Sequence, residues 1–566
     1  MRSRPATEPK RPRGVLIAVS LTAAAALHAV YVVHHRVNTD EPQHLHVGWA
    51  WVQGLLPYRD VFDNHSPLFS MLMAPALRAI GERPDIVFLA RLLMLPLAAL
   101  VLGLAWVIAR KLFSTQAAFL AVALCALVPD FMLASVEYRT DLLWAVLWMA
   151  AMAILLTGPL TRARGFLFGL ALGAALGTSM KTSLLIASLG AAGAAALFLL
   201  RARGVRLRLS SLGAWGAWTL AGVLLVPALL VAFFASHGAL KPMLYGTLSH
   251  NLVPKLGLWR EGAYRALIPL AALPFLWIVG RRIFERADDP FLGGKRALLF
   301  LTAGVYYAAL HGIWPLITRQ DALPFLPMAA VSVAPFLLDL AGWARTWRPG
   351  VPGLVRAASL APAAALALEI AWTQRVEPVW QRNDTEHEVS LLSEVLRLTR
   401  PGDTVMDLKG ETIFRERPFY FALEAITQAR IADGLIRDDI PERLIARRTP
   451  VAIADTPELP QRGRAFLNAN YVPLGALRVL GQTLGPQDGS TAAAFEIGVP
   501  QRYAVICERG GATGLLDGTP YDGPRELAQG RHTYLGSRSE GRTMLLWADA
   551  VGATRRENRS DSRGPG

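Results

Sequence analysis

Apolar residues in this chain come in long unbroken runs, not in the narrow stripes of a soluble helix or the alternation of a half-buried strand. A helix needs about 20 apolar residues to cross a hydrocarbon layer, with short cases near 17. Gly14 to Val33 is the first uncharged stretch of that size. Runs over 91–110, 113–134, 142–160, 165–180, 182–200, 211–235, 265–280, 297–316, 322–342 and 355–373 bring the expectation to eleven spans, with Lys181 alone dividing the 165–180 and 182–200 pair. The first run follows a basic flank that suits a signal or an anchor. Its Val-His-His-Arg exit has no small-residue cleavage site, so an anchor is expected.

After residue 374 the pattern changes to short strand-like runs (Thr404 to Leu408, Pro450 to Ala454) and amphipathic helical stretches (Ser390 to Leu398, Pro441 to Ala446). This predicts an α-helical polytopic membrane protein with a C-terminal extracytoplasmic α+β domain. In detail, a basic N-terminus over 1–13 precedes a membrane domain over 14–373 that includes a loop over 36–90. An α/β domain follows over 374–490, then a small β module over 491–554 with candidate strands at Phe495 to Gly498, Tyr503 to Cys507 and Thr543 to Ala548, and a disordered tail over 555–566.

Composition supports the membrane reading. Apolar residues make up 53% of the 566 and charged residues 18%, with a mean hydropathy of +0.34; soluble domains carry nearer a quarter charged residues. The formal charge of +15 does not point to nucleic acid, because the cations cluster in short loops between apolar runs. Alternate loops hold Arg110 and Lys111, Arg162 and Arg164, Arg201 to Arg208, Arg281 to Arg296 and Arg345 to Arg356. Basic loops stay in the cytoplasm, so the N-terminus is expected inside and everything after about 374 outside, at the cell inner membrane. The two cysteines, Cys125 and Cys507, lie too far apart in character to form a disulfide framework.

Chemistry concentrates at the expected outer ends of the spans. Asp40 and Glu41 stand together just beyond the first span in Asn38-Thr39-Asp40-Glu41-Pro42-Gln43-His44-Leu45-His46. Helix capping by Thr39 or Asp40 explains one carboxylate and leaves the other over. His44 and His46, at i and i+2, do not share a helix face and read as interfacial side chains. The loop continues through Gly54 to Asp60 and Asn64-His65-Ser66-Pro67. Asp141 opens the 142–160 run, Lys181 sits between two spans, and Arg319 precedes Pro324 and Pro327. Charges at that depth are expensive and are often functional, although a single Lys or Arg can simply snorkel to the headgroups.

These motifs resemble the GT-C membrane glycosyltransferases, especially protein O-mannosyltransferases and lipid A aminoarabinose transferases. The resemblance covers roughly 14–340. It rests on Asp40-Glu41, the Gly-Leu-Leu-Pro-Tyr-Arg-Asp stretch with Ser66-Pro67-Leu68 behind it, Asp141, Lys181 after a Gly-rich span, and Leu323-Pro324-Phe325-Leu326-Pro327. It implies an enzyme that moves a sugar from a polyprenyl-phosphate donor to a lipid or protein acceptor, such as lipid A or core, at the outer membrane face, with inversion at the sugar. The chain departs from the family pattern at His65, where many members carry a Lys before the Pro, and at Gln43, where an Arg often follows the acidic pair.

The residues fit that chemistry on their own terms, since such a transfer needs a base for the acceptor hydroxyl and cations or hydrogen-bond donors for the departing phosphate. Asp40 is the candidate base and Glu41 its helper. Lys181, Arg319 and His65 are candidate phosphate partners. Asp141 is placed to position the acceptor or to join a divalent metal, although the sequence requires no cofactor. The alternative is a multi-pass lipid or solute transporter or flippase, for which repeated halves or broken helices would be expected.

Overall fold

The computed structural model describes residues 11–205, 209–252, 280, 289–314, 317–348, 350–378, 380, 385–454, 458–486, 490–507, 511–536 and 542–551. The chain forms two compact units. The first contains Met1–Val37, Asn64–Leu72 and Phe88–Thr385; the second contains Asn38–Asp63, Met73–Val87 and Glu386–Gly566. The segment around Asp40 therefore belongs with the C-terminal residues, not with the membrane domain to which the sequence pattern assigns it.

The first unit is helical: α1 (Arg11–His34), α5 (Met94–Leu112), α6 (Thr115–Leu127), α7 (Pro129–Ala134), α8 (Thr140–Thr157), α9 (Arg162–Thr178), α10 (Thr182–Ala202), α11 (Leu209–Ser236), α13 (Pro290–Ile313), α14 (Phe325–Trp347) and α15 (Pro352–Val376). Between them in the chain lie α2 (Asp40–Val52), α3 (Leu68–Ile80), α4 (Ile86–Leu92) and the short α12 (Leu240–Leu244). Seven described stretches are long and apolar enough to cross a membrane: Ile86–Leu112, Thr140–Thr157, Thr182–Ala202, Gly213–Ser236, Pro290–Ile313, Phe325–Trp347 and Pro352–Val376. The chain is a multi-pass membrane protein, but the eleven expected spans are not all matched. Ala18–His34 and Thr115–Leu127 are shorter apolar helices, as is Leu68–Ile80, which was expected to be loop. The 265–280 run and the tail from 555 lie outside the described residues.

Local chemistry explains the breaks. The 113–134 run divides because Val128, preceding Pro129, is extended (φ −61°, ψ 129°) and Pro129 opens α7; a residue before proline disfavours the helical region. Ser114 caps α6 by accepting from Ala117 N at 3.1 Å, and Asp289 caps α13 by accepting from Phe291 N at 3.0 Å. The 165–180 and 182–200 pair does resolve into two helices, α9 and α10, with Ser179 to Lys181 between them. α9 carries Gly165, Gly169, Gly173 and Gly177 at every fourth position, and a Cβ at Gly169 or Gly173 would run into the backbone of α11. Such a stripe of small residues lets two apolar helices pack backbone to backbone without a hydrophobic driving force.

The second unit is α+β. Its larger sheet runs β1 (Val405–Met406), β2 (Val451–Ile453), β4 (Leu477–Pro486), β11 (Arg542–Trp547), β6 (Gln501–Cys507), β9 (Arg525–Leu527), with β3 (Tyr471–Leu474) also on β4. A smaller sheet runs β5 (Ala493–Ile497), β10 (Gly530–Leu535), β7 (Leu515–Leu516), β8 (Thr519–Pro520). β1 and β2 are parallel and the other pairs antiparallel. Helices α16 (Glu386–Leu398), α17 (Ala425–Ala432), α18 (Ile440–Ala446) and α19 (Gln461–Asn470) complete the unit. The boundary expected near residue 490 runs through the larger sheet, since β11 pairs with both β4 and β6. One continuous core holds Val395, Val405, Val451, Val479, Tyr503, Leu545 and Trp547 together. A separate β module over 491–554 is thus replaced by one folded body.

Candidate functional site

In the second unit, α2 begins at Asp40. Capping there is done by neighbours: Asn38 Oδ1 accepts from Asp40 N at 3.0 Å, and Glu41 Oε1 accepts from Asn38 N at 2.9 Å. Thr39 makes no side-chain cap bond. Glu41 is fully buried, so it organises the start of the helix and is not displayed on it. The Asp40 carboxylate, half-buried, is instead ion-paired, with Lys409 Nζ at 2.6 Å from Oδ1 and at 3.0 Å from Thr39 Oγ1.

Lys409 is held by a loop built around two acids. Asp407 accepts from Gly410 N and Thr412 N at 3.0 Å each and from Thr412 Oγ1 at 2.7 Å. Glu411 accepts from Leu408 N and Lys409 N at 3.0 and 2.8 Å. Burial, and then the charge of Asp407, push the Glu411 carboxyl up to about 7. Gly410 has φ +108°, and a Cβ there would lie 2.7 Å from that of His46. His46 is buried and donates Nδ1–H to Ile413 O at 2.8 Å; burial, with Arg417 nearby, lowers it to about 4. His44 is also buried. The interfacial reading of both histidines is therefore corrected: they pack inside a folded unit.

The remaining expected site residues lie in the first unit. Lys181, at the N-cap of α10, is ion-paired with Asp321, which is fully buried in the 3₁₀ turn Arg319–Ala322. Asp321 also closes that turn by accepting from Thr318 N at 2.9 Å, and Tyr306 donates to its carbonyl at 2.9 Å. Arg319 sits 3.5 Å from Asp130 of α7. Asp141, in the first turn of α8, accepts from Arg139 Nε at 3.0 Å, with both side chains buried. Gln320 donates to Glu137 at 2.5 Å, and Glu137 meets His35 Nε2 at 3.3 Å. Thr140 and Trp144 of α8 bond Thr178 O and Thr182 Oγ1 at 3.0 and 2.9 Å.

These bonds draw together three junctions: α7 to α8, α9 to α10, and the 3₁₀ turn before α14. Asp141, Lys181 and Arg319 are thereby gathered. His65 is half-buried in the bend before α3, where its neighbour Asn64 accepts from Asn251 at 2.8 Å. Among the described residues no group of three or more His, Cys, Asp or Glu side chains is placed to hold a metal ion.

Sequence reasoning missed Lys409 and Asp321. Lys409 carries no local signal. Asp321 does: Thr318-Arg-Gln-Asp321 has the spacing of a capping box, which the turn forms.

Residues 64–231 match the family model described as dolichyl-phosphate-mannose-protein mannosyltransferase. Among curated proteins none matches the chain in sequence. Two crystal structures of ArnT from Cupriavidus metallidurans share its fold. The apo structure aligns with a TM-score of 0.54 at 13% identity, over 82% of this chain and 97% of that one. The structure bound to undecaprenyl phosphate gives 0.54 and 13%, over 83% and 98%. The Archaeoglobus fulgidus oligosaccharyltransferase in its apo form aligns at a TM-score of 0.47 and 11% identity, over 79% of this chain and 70% of that one.

Proposed function

From a multi-pass membrane chain of the GT-C fold, carrying a segment matched by the mannosyltransferase family model, we propose a glycosyltransferase that takes a sugar from a polyprenyl phosphate and passes it to an envelope acceptor at the outer membrane face. The observation that carries this is the cation pair at the helix junctions of the first unit. Lys181 is held by a fully buried Asp321 and Arg319 is loosely matched to Asp130. A phosphate arriving from the lipid side finds two cations already positioned, and Asp321 keeps its backbone hydrogen bond from Thr318 when Lys181 turns to the phosphate. The ArnT structure with undecaprenyl phosphate, alike over most of both chains, supports the lipid-phosphate half of the reading.

In this mechanism Asp40 takes the proton of the acceptor hydroxyl, whose oxygen attacks the anomeric carbon. The bond from that carbon to the phosphate oxygen breaks, the electron pair leaves with the polyprenyl phosphate, and the configuration inverts. Lys181 and Arg319 meet the charge that develops on the leaving group, with His65 as a further donor, while electrostatic stabilisation of this kind is commonly the largest catalytic contribution. Glu41 positions Asp40 through the helix start. Asp141, locked to Arg139, orients the acceptor and the α8 junction. Lys409 keeps the Asp40 carboxylate in place.

The test is transfer of labelled sugar from a polyprenyl phosphate by the full-length protein in nanodiscs, with envelope glycolipids as acceptors and the product anomer read by NMR. Donor crossing the bilayer with no transfer would instead support a flippase. A reporter active only outside the cytoplasm, fused after residue 380, should be active and one at residue 204 silent; the reverse would overturn the orientation.

A further inference from the structure

The second unit contains a cavity of about 420 Å³ bordered by His46 of α2, the stretches 55–62 and 416–420, and the C-terminal end of α18. That is within the roughly 300–1,000 Å³ of small-ligand sites. Its lining carries four arginines and only two carboxylates, Asp60 and Glu416. Two of the arginines are committed: Arg59 bonds Asp60 at 2.8 and 2.9 Å, and Arg443 bonds Asp439 at 2.9 Å. The other two are paired at longer range, Arg417 with the buried Asp407 and under the charge of Glu411, and Arg447 with Glu416.

Arg417 is the more telling of these. Its side chain is 3% exposed, and its Nη1 donates to Leu408 O at 3.1 Å. Its Nε lies 3.7 Å from Asp407 Oδ1, beyond hydrogen-bond reach, and is a buried donor with no acceptor. Buried donors are nearly always satisfied, so an unfilled one beside a cavity marks a place for a ligand acceptor. Arg447 is exposed and stands 3.9 Å from Glu416. A ligand oxygen carrying negative charge suits both guanidinium groups, which recognise phosphate and carboxylate by charge-assisted bonds.

A second feature adds a polyol to that anion. His46 lines the same cavity, and because Nδ1–H is committed to Ile413 O, its Nε2 is an acceptor that calls for a hydroxyl donor. Burial keeps the ring neutral near pH 7, which preserves that lone pair. Tyr420 is half-buried beside it, with its hydroxyl donated to Tyr58 O at 2.5 Å, so the ring is fixed in place. A sugar ring bearing a charged substituent supplies both the donor and the anion.

We propose that this cavity binds an anionic sugar, a carbohydrate ring carrying phosphate or carboxylate, and that it does so for the acceptor. The acceptor assignment rests on the reading of Asp40 as the base: His46 lies six residues along α2 from Asp40, about 9 Å of helix axis at 1.5 Å per residue.

Binding to full-length protein in detergent is measured with glucose 1-phosphate, glucuronic acid, glucose, inorganic phosphate and a short-chain polyprenyl phosphate. The expected result is saturable binding of the two anionic sugars, with glucose and inorganic phosphate each weaker by about tenfold or more. Arg447→Gln, at an exposed position, should weaken the anionic sugars severalfold without lowering the melting temperature, and Arg417→Lys should do so more strongly. Equal binding of glucose and glucose 1-phosphate, absence of saturable binding, or an unchanged affinity in Arg447→Gln overturns the site. Displacement of glucose 1-phosphate by the polyprenyl phosphate overturns the acceptor assignment. The transfer assay reports separately: anionic-sugar binding without any transfer leaves this site standing and removes the enzymatic reading, and transfer without such binding does the opposite.

Discussion

Replacing Asp40 by Asn separates the base from every structural role at that position. Capping is kept, because the first two donors of α2, Asp40 N and Glu41 N, are met by Asn38 Oδ1 and Asn38 O, and an Asn is about as good as an Asp at a helix start. Loss of one first-turn carboxylate removes about 0.3–1 kcal/mol of favourable interaction with the helix dipole. The contact with Lys409 survives in weaker form, since an amide Oδ1 still accepts from Nζ; the pair is partly solvent-screened, with side chains 24% and 17% exposed. That difference is worth about 1 kcal/mol. Stability should therefore fall by no more than about 2 kcal/mol. Catalysis should fall by about 10²–10⁴, which at 1.36 kcal/mol per decade raises the barrier by about 2.7–5.4 kcal/mol. The assay is the initial rate of sugar transfer at saturating donor in nanodiscs, with the melting curve recorded on the same sample. Lys409→Met should also lower the rate, and the double variant should be no slower than Asp40→Asn alone, because the two residues act as one unit. A rate for Asp40→Asn within twofold of the parent at normal abundance would refute the base assignment.

Other positions give sharp tests. Lys181→Met strands the fully buried Asp321 carboxylate and should destabilise the protein by about 3–5 kcal/mol; Lys181→Met with Asp321→Asn should restore the melting temperature but not donor binding. Gly410→Ala combines an unfavourable φ of +108° with a clash against His46, so it should lower the melting temperature and displace Lys409, read as a slower transfer rate, and Gly410→Asn, which brings the same Cβ, should be no better. The partly buried pair His532–Asp517, 2.7 Å apart, sets a pH window. Against partial burial, Asp517 raises the His532 pKa above the usual 6.5, and His532 and Thr533 N lower that of Asp517 below the usual 3.8. The histidine contribution is complete below pH 6.5 and lost as pH rises through its raised folded value; the aspartate contribution is complete above 3.8 and lost as pH falls through its lowered one. The melting-temperature gap between parent and Asp517→Asn should thus be widest between about pH 4 and 6.5, and a gap that grows above pH 8 would contradict the pairing.

Periodicity made the membrane helices legible, since an apolar run of span length has few alternatives in a chain this poor in charge. It failed where a break or a partner is set by one residue or by distant sequence. Pro129 divides what reads as one run, and α3 hides in an apparent loop because it is 13 residues long and carries Pro75 inside. The strands at 405–406, 451–453 and 542–547 were visible as short apolar runs, yet nothing local reveals that the last of these lies beside β4 and β6. At the site, Asp40 and Glu41 stood out as adjacent acids, but their division of labour was not visible: burial of Glu41 and the reach of Lys409, 369 residues away, appear only in three dimensions.

The position of β11 has a consequence for how the chain matures. Its residues, 542–547, occupy the middle of the larger sheet, so β4 and β6 have exposed edges until β11 has been made. The segments over 38–63 and 73–87 belong to the same unit and wait through some three hundred intervening residues for their partners. Contacts of such long sequence separation close slowly, and unpaired edges in the interval invite aggregation. A nascent chain interrupted anywhere before 542 lacks the central strand instead of an outer one, and so can form only two separate pieces of this sheet, β1-β2-β4 with β3 and β6-β9.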